Sequence, residues 1–166
     1  ETLVYEAEVS QGAPRKADER GVLLRQAKDQ VDILLSGIPF CSYYHGQRTL
    51  KPYLGPIMGP YGKSLTRLDM EAREHPHHRS VWVGHGDVNG IDFWGEPTEG
   101  RPGIHGRQAN KRILGIEQGA VFGQLSAVNT WTALSGKDIL EEETEIKVYA
   151  TADHLRLVDV RIDLKA

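Results

Sequence analysis

The chain of 166 residues has one cysteine, Cys41. An internal disulfide framework is therefore excluded, and the compartment stays open between exported and cytoplasmic. No apolar run approaches the ~20 residues that a membrane-spanning helix requires, so no membrane partner is expected. There is no excess of positive charge. Twenty Lys and Arg face 23 Asp and Glu, for a net charge of -3. Without a basic stripe, nucleic acid is not an expected partner. Several motifs are also missing. There is no H-E-x-x-H and no G-x-S-x-G. GHGDVNG lies within predicted strands and opens no helix, so it is not a dinucleotide fingerprint. DVNGID has the wrong number and placement of acidic residues for an EF-hand loop. Helical periodicity is nearly absent. The one candidate, SLTRLDMEARE (64–74), runs into His75-Pro76, and a residue before proline is pushed toward extended geometry.

Turn formers and the strand period are abundant instead. Eighteen glycines and eight prolines break the chain often. Between them the apolar residues recur at period two, which marks half-buried strands. LVYEAEV (3–9), VLLRQ (22–26), QVDILLSG (30–37) and IPFCSYYHG (38–46) read as strands. KPYLGPIMGPYGKS (51–64) reads as extended and kinked. RILGIE (112–117) and AVFGQLSAVNTWTAL (120–134) read as a hairpin turning at Gln118-Gly119. TEIKVYA (144–150) and VDVRIDL (158–164) alternate cleanly, and a parity break at Leu157-Val158 predicts a β-bulge. The expected fold is all-β, an antiparallel sandwich of roughly ten strands. Residues 1–166 form a single sandwich domain or the N-terminal part of a larger one. VDVRIDL presents Val158, Val160, Ile162 and Leu164 on one face with no later strand to pair with. A homo-oligomeric partner or a missing C-terminal half is the expected cover for that edge.

The densest chemistry lies in HPHHRSVWVGHGDVNGIDFW (75–94). It carries four of the seven histidines and two of the three tryptophans. Asn89-Gly90 predicts a type I′ hairpin, since both central residues need positive φ. Its register would set His85 against Trp94 and Asp87 against Asp92. Opposed aspartates repel, so a cation, Arg79, Arg107 or a shared proton is expected between them. The competing reading splays both aspartates into water. If HPHH is extended, His75 and His77 share one face, ~6–7 Å apart, and His78 takes the other. His85 would then lie ~26 Å from His77 unless Gly84 and Gly86 bend the chain. Three readings of the histidines follow: acid/base or hydrogen-bonding groups, a divalent metal site on the H-x-H pair, or ordinary structural side chains. Cys41, on an apolar strand, reads as core. Trp82, Trp94, Tyr43 and Tyr44 read either as core or as a platform for the apolar faces of sugars.

KPYLGPIMGPYGKSLTR, followed by EHPHHRSVWVGHGDVNGIDFW, resembles the hallmark of a bacterial family labelled PmoA-like. The region around Trp131 and LEEETEIKVY are similar to it as well, so the likeness runs through nearly the whole chain. The resemblance implies a β-sandwich similar to the galactose-mutarotase supersandwich. Proteins of that shape commonly act on carbohydrates through histidines and carboxylates on a concave sheet, an implication by fold analogy. It also implies a C-terminal half with further site residues.

The expected ligand is a small carbohydrate or glycoside. His77, His78, His85 and Asp87 are the candidates for proton transfer of epimerase, lyase or hydrolase type. His75, Arg79, Trp82, Asn89 and Trp94 are the candidates for substrate binding. No cofactor and no metal ligand is assigned; a divalent metal on the H-x-H pair is the alternative. The third reading is a non-catalytic binding or assembly module.

Overall fold

The computed structural model describes residues 20–67, 74, 75, 77–96 and 104–166. Eight strands form two antiparallel four-stranded sheets. The first sheet contains β1 (Val22–Gln26), β2 (Gln30–Leu35), β3 (Ile38–Tyr44) and β4 (Tyr53–Gly55). The second contains β5 (Gly106–Glu117), β6 (Phe122–Ala133), β7 (Asp138–Tyr149) and β8 (Val158–Lys165). Each sheet is a meander in chain order, so every strand pairs with its sequence neighbour. The chain is all-β, as its alternation predicts, and the layers form a sandwich.

The period-two pattern becomes the core directly. On β7, Glu142, Thr144, Ile146 and Val148 are buried, and the residues between them are not. Val31, Ile33, Phe40 and Tyr43 of the first sheet pack in one cluster with Leu125, Ala127, Ile146 and Val148 of the second. Each Val, Leu, Ile or Phe among them contributes about 1.5–3 kcal/mol on burial. Cys41 lies in the same cluster, and burial pushes its thiol up, away from the reactive thiolate. The layers also meet at their backbones, where Val22 and Gly119 exchange hydrogen bonds of 2.8 and 3.2 Å.

One polar island sits within this core. The Glu142 carboxylate accepts from Trp131 Nε1 at 2.6 Å, Asn129 Nδ2 at 2.8 Å and Thr144 Oγ1 at 2.5 Å. The Asn129 amide also bonds the Tyr43 hydroxyl, at 3.0 Å. Three neutral donors satisfy a buried carboxylate, which tolerates burial only when it is hydrogen-bonded.

Several expectations need correction. The described residues hold eight strands, and the expected strand LVYEAEV lies outside them. Ser64 bridges Met58, and residues 65–67 are not helical; the rest of the expected helix up to residue 73 is outside the described part. No bulge occurs at Leu157-Val158, because β8 pairs with β7 in unbroken register from Val158 to Lys165. Residues 150–157 form the connection instead, and the parity changes there because the strand has ended. The register shifts fall elsewhere, at Ile33/Leu34, Asn110/Arg112, Ile113/Gly115 and Trp131/Thr132. β8 is the edge strand of its sheet; along its apolar row, Val160 and Leu164 are exposed and Val158 and Ile162 are half-buried.

The expected strand pair over 79–94 is reduced to its turn. Asn89 and Gly90 take φ of 56° and 82°, as a type I′ turn requires. Only Val88 and Ile91 pair across it. Beyond them the register slips: the His85 carbonyl accepts from Phe93 N–H at 2.9 Å, one residue short of Trp94. Glycine at 84 explains the break. A Cβ there would collide with the Trp82 ring and approach the Phe93 carbonyl, so the chain bends where a regular strand would carry side chains.

Candidate functional site

The segment between β4 and β5 carries the site, and backbone and buried polar groups pin it to the sandwich. Val81 extends the first sheet by exchanging hydrogen bonds of 2.8 and 3.0 Å with Leu54 of β4. Gln108 Nε2 of β5 donates to the Val83 carbonyl at 3.0 Å. Phe93 is buried against Trp131, with ring centroids 5.0 Å apart. Lys51, only 2% exposed, donates its ammonium to the Trp94 carbonyl at 2.6 Å. The same ammonium sits 4.0 Å from the centroid of the Trp82 ring, a cation–π contact that fixes this indole.

The HPHH stretch is not extended. His75 sits at φ 51°, in the left-handed region, and its carbonyl accepts from His78 N–H at 3.0 Å. A non-glycine residue holds that conformation only when its surroundings impose it. Arg67 does so here. Its guanidinium donates to the carbonyls of Glu74 (2.8 Å), His75 (2.7 Å) and His78 (3.3 Å). The turn overturns the expected two-face arrangement and brings all three imidazoles together. His75 stacks on His78 with centroids 4.8 Å apart, and His77 meets His78 edge-on at 4.5 Å. One ligating nitrogen from each lies within 4.8 Å of the others. Trp94 Nε1 donates to His77 Nε2 at 3.1 Å. Partial burial holds the His78 pKa below the usual histidine value, and the neighbouring His77, His75, Arg67 and Lys51 push it the same way. His78 is therefore harder to protonate than an ordinary histidine.

Beside this cluster opens a cavity of about 580 Å³, lined by residues that include His75, His78, Trp82, Trp94, Arg67 and Arg79. The two indoles pack with centroids 4.7 Å apart. Arg79 is largely committed: it makes three hydrogen bonds of 2.7–3.0 Å to the buried Glu96 carboxylate. His77 backs the cavity through its bond to Trp94.

His85, Asp87 and Asn89 are not among the lining residues. Asp87 caps the hairpin by accepting from Gly90 N–H at 2.8 Å, and His85 Nδ1 accepts from Asp87 N–H at 3.1 Å. The expected opposition of Asp87 and Asp92 is also absent. Asp92 instead accepts from the backbone of Trp94 and Gly95 at 2.7 and 3.1 Å. Its other oxygen lies 3.1 Å from Nδ1 of the buried His105, off the line that a hydrogen bond needs. Arg107 donates to the Gln47 carbonyl at 2.6 Å and takes no part in separating the aspartates.

Residues 30–166 match the model of a family of unknown function (DUF6807). The chain belongs to that family. No curated protein and no solved structure matches it. The DUF6807 description names no activity, so the reading of the site rests on its geometry and chemistry.

Sequence reasoning on this DUF6807 chain missed the residues that shape the site. Arg67 sits in the stretch read as a weak helix. Lys51 and Glu96 are charged residues beside proline and glycine, a setting that normally marks exposed loop. Their burial depends on contacts 43 and 17 residues away in the chain, which no local pattern encodes.

Proposed function

We propose that the chain binds a carbohydrate or glycoside in the cavity beside Trp82 and Trp94, with a histidine available to move a proton at a sugar carbon. The observation that carries this reading is the make-up of the wall. Two indoles share it with Thr66, Ser80, His75, His78, Arg67 and Glu74. Indole faces suit the apolar faces of sugar rings, and hydroxyl, imidazole and carboxylate groups pair with sugar hydroxyls. The volume of about 580 Å³ falls within the usual range for small-molecule sites. Trp94 is 46% exposed, so part of the aromatic pair meets solvent.

The roles divide by environment. His78, whose pKa is held below the usual histidine value, is the group suited to accept a proton, and Glu74 is the carboxyl on the same wall. A histidine base and a carboxyl on one wall are the groups that acid/base chemistry at a sugar carbon uses. Arg79 orients the wall through Glu96 rather than through a ligand carboxylate. The PmoA-like likeness of residues 51–94 supports the same reading, because it implies a carbohydrate-acting sandwich. A binding module without turnover is the second reading, since His85 and Asp87 lie outside the cavity wall.

The test is calorimetric titration of the full chain, with metal chelated, against neutral monosaccharides, disaccharides and uronic acids. Saturable binding that is lost in Trp94→Ala, with an unchanged unfolding midpoint, is the expected result. No binding across the panel would reject the sugar reading. Where a sugar binds, following it by NMR separates turnover from binding alone, and His78→Ala should stop turnover.

A further inference from the structure

We propose that His75, His77 and His78 form a site for one divalent transition-metal ion of the zinc or cobalt(II) type. The ion would be held by three imidazoles, with its remaining position facing the cavity.

The first argument is convergence. One nitrogen from each ring lies within 4.8 Å of the other two. Three nitrogens around a tetrahedral zinc at ~2.0–2.1 Å stand roughly 3.3 Å apart. Closing the difference requires the rings to turn about their side-chain bonds, because His75 and His78 lie stacked nearly parallel and an ion must lie in the plane of each ring it binds. The backbone is already held in its unusual shape by the Arg67 fork on the carbonyls of Glu74, His75 and His78, and by the His75–His78 turn bond. The turn at φ 51° therefore fixes the backbone that brings the three histidines together. An all-imidazole set selects zinc, cobalt, nickel or copper over magnesium and calcium, which require oxygen ligands. Three protein ligands with an open position match the pattern of catalytic sites rather than closed structural ones.

The second argument concerns Trp94. A neutral imidazole has one lone pair, and in His77 the Trp94 N–H occupies it at Nε2. His77 cannot ligate a metal through either nitrogen while that bond stands. Ligation through Nε2 displaces the indole directly, and ligation through Nδ1 puts the proton on Nε2, which then no longer accepts. Metal binding and the Trp94–His77 bond are therefore mutually exclusive. Release of the indole N–H on metal binding is a spectroscopic reporter built into the site. Opposing the ion are the charges of Arg67 and Lys51, both occupied by carbonyl acceptors.

The proposal shares His78 with the sugar reading but does not rest on it: bound to an ion, His78 cannot accept a proton, so its role as base belongs to the metal-free chain, and the test uses no sugar. The full chain, stripped with chelator, is titrated with Zn²⁺ alone while heat and tryptophan emission are followed. One zinc per chain is expected, with an emission change that saturates at the same stoichiometry. His75→Ala, His77→Ala and His78→Ala should each weaken binding by at least about tenfold, since loss even of an outer-shell partner costs that much. Trp94→Phe should tighten binding roughly fivefold, the equivalent of one neutral hydrogen bond removed from competition. Cobalt(II) should give the visible absorption of a tetrahedral site. His75 is exposed, so its variant keeps the test informative if another fails to fold. Absence of stoichiometric zinc, or zinc binding unchanged in the His77 and His78 variants, overturns the proposal.

Discussion

The sandwich and the segment between β4 and β5 solve the same problem by different means. In the sandwich, repeated apolar side chains meet across two regular sheets. In the connecting segment, order comes from a few polar clamps: Arg67 on three carbonyls, Arg79 on Glu96, Lys51 on the Trp94 carbonyl, and Gln108 on Val83. Their two buried carboxylates show the contrast. Glu142 in the sandwich is satisfied by three neutral donors. Glu96 in the segment is met by a guanidinium. The difference teaches that irregular backbone can be held as firmly as a sheet, but by single contacts. Loss of one contact in the segment should then matter locally, whereas loss of one in the sandwich should matter everywhere.

The largest effect should come from the sandwich. Trp131 is fully buried, donates to Glu142 and backs Phe93 of the segment. Trp131→Ala should cost about 3–5 kcal/mol in denaturant unfolding. Both regions should melt in one transition, and retention of an intact sandwich would break the comparison. Glu96→Ala should cost less, about 2–3 kcal/mol, because Arg79 keeps some contact with solvent. Its loss should show as faster hydrogen exchange over 77–96 with little change in β6 and β7. Uniform loss of protection across both sheets would show that the two regions are one cooperative unit. The smallest effect should come from Gly90→Val, about 1 kcal/mol. Nothing lies near the added Cβ, so backbone strain at φ 82° is the only cost. A change in unfolding free energy of 3 kcal/mol or more, on the scale set for Trp131, would reveal a packing role for the hairpin that its open surroundings do not explain.

The same contrast decides what could be read in the sequence. Strands such as VLLRQ, QVDILL and TEIKVY were legible because one face is buried and the alternation records it. Asn89-Gly90 was legible because positive φ has a residue signature. The histidine cluster was legible as a composition but not as a shape. An extended HPHH separates His78 from His75, and only the Arg67 clamp, from eight to eleven residues away, reverses that. His85 and Asp87 drew attention through the same density of polar residues, yet they belong to a turn that is stabilised locally. Contacts distant in sequence left no periodic trace, so Lys51 and Glu96 passed as surface.

The meander order of the two sheets has a consequence for how the molecule assembles. Every strand pairs with its chain neighbour, so each sheet can grow by zipping adjacent hairpins, with short loops to close. Low sequence separation between partners favours fast formation. The indoles have no such route. They need β4 and β5 in place before Leu54, Lys51 and Gln108 can hold their segment, and the loop they close is the long one. The cavity is thus the late-forming part of the chain. A nascent polypeptide would complete its scaffold first and acquire its chemistry last.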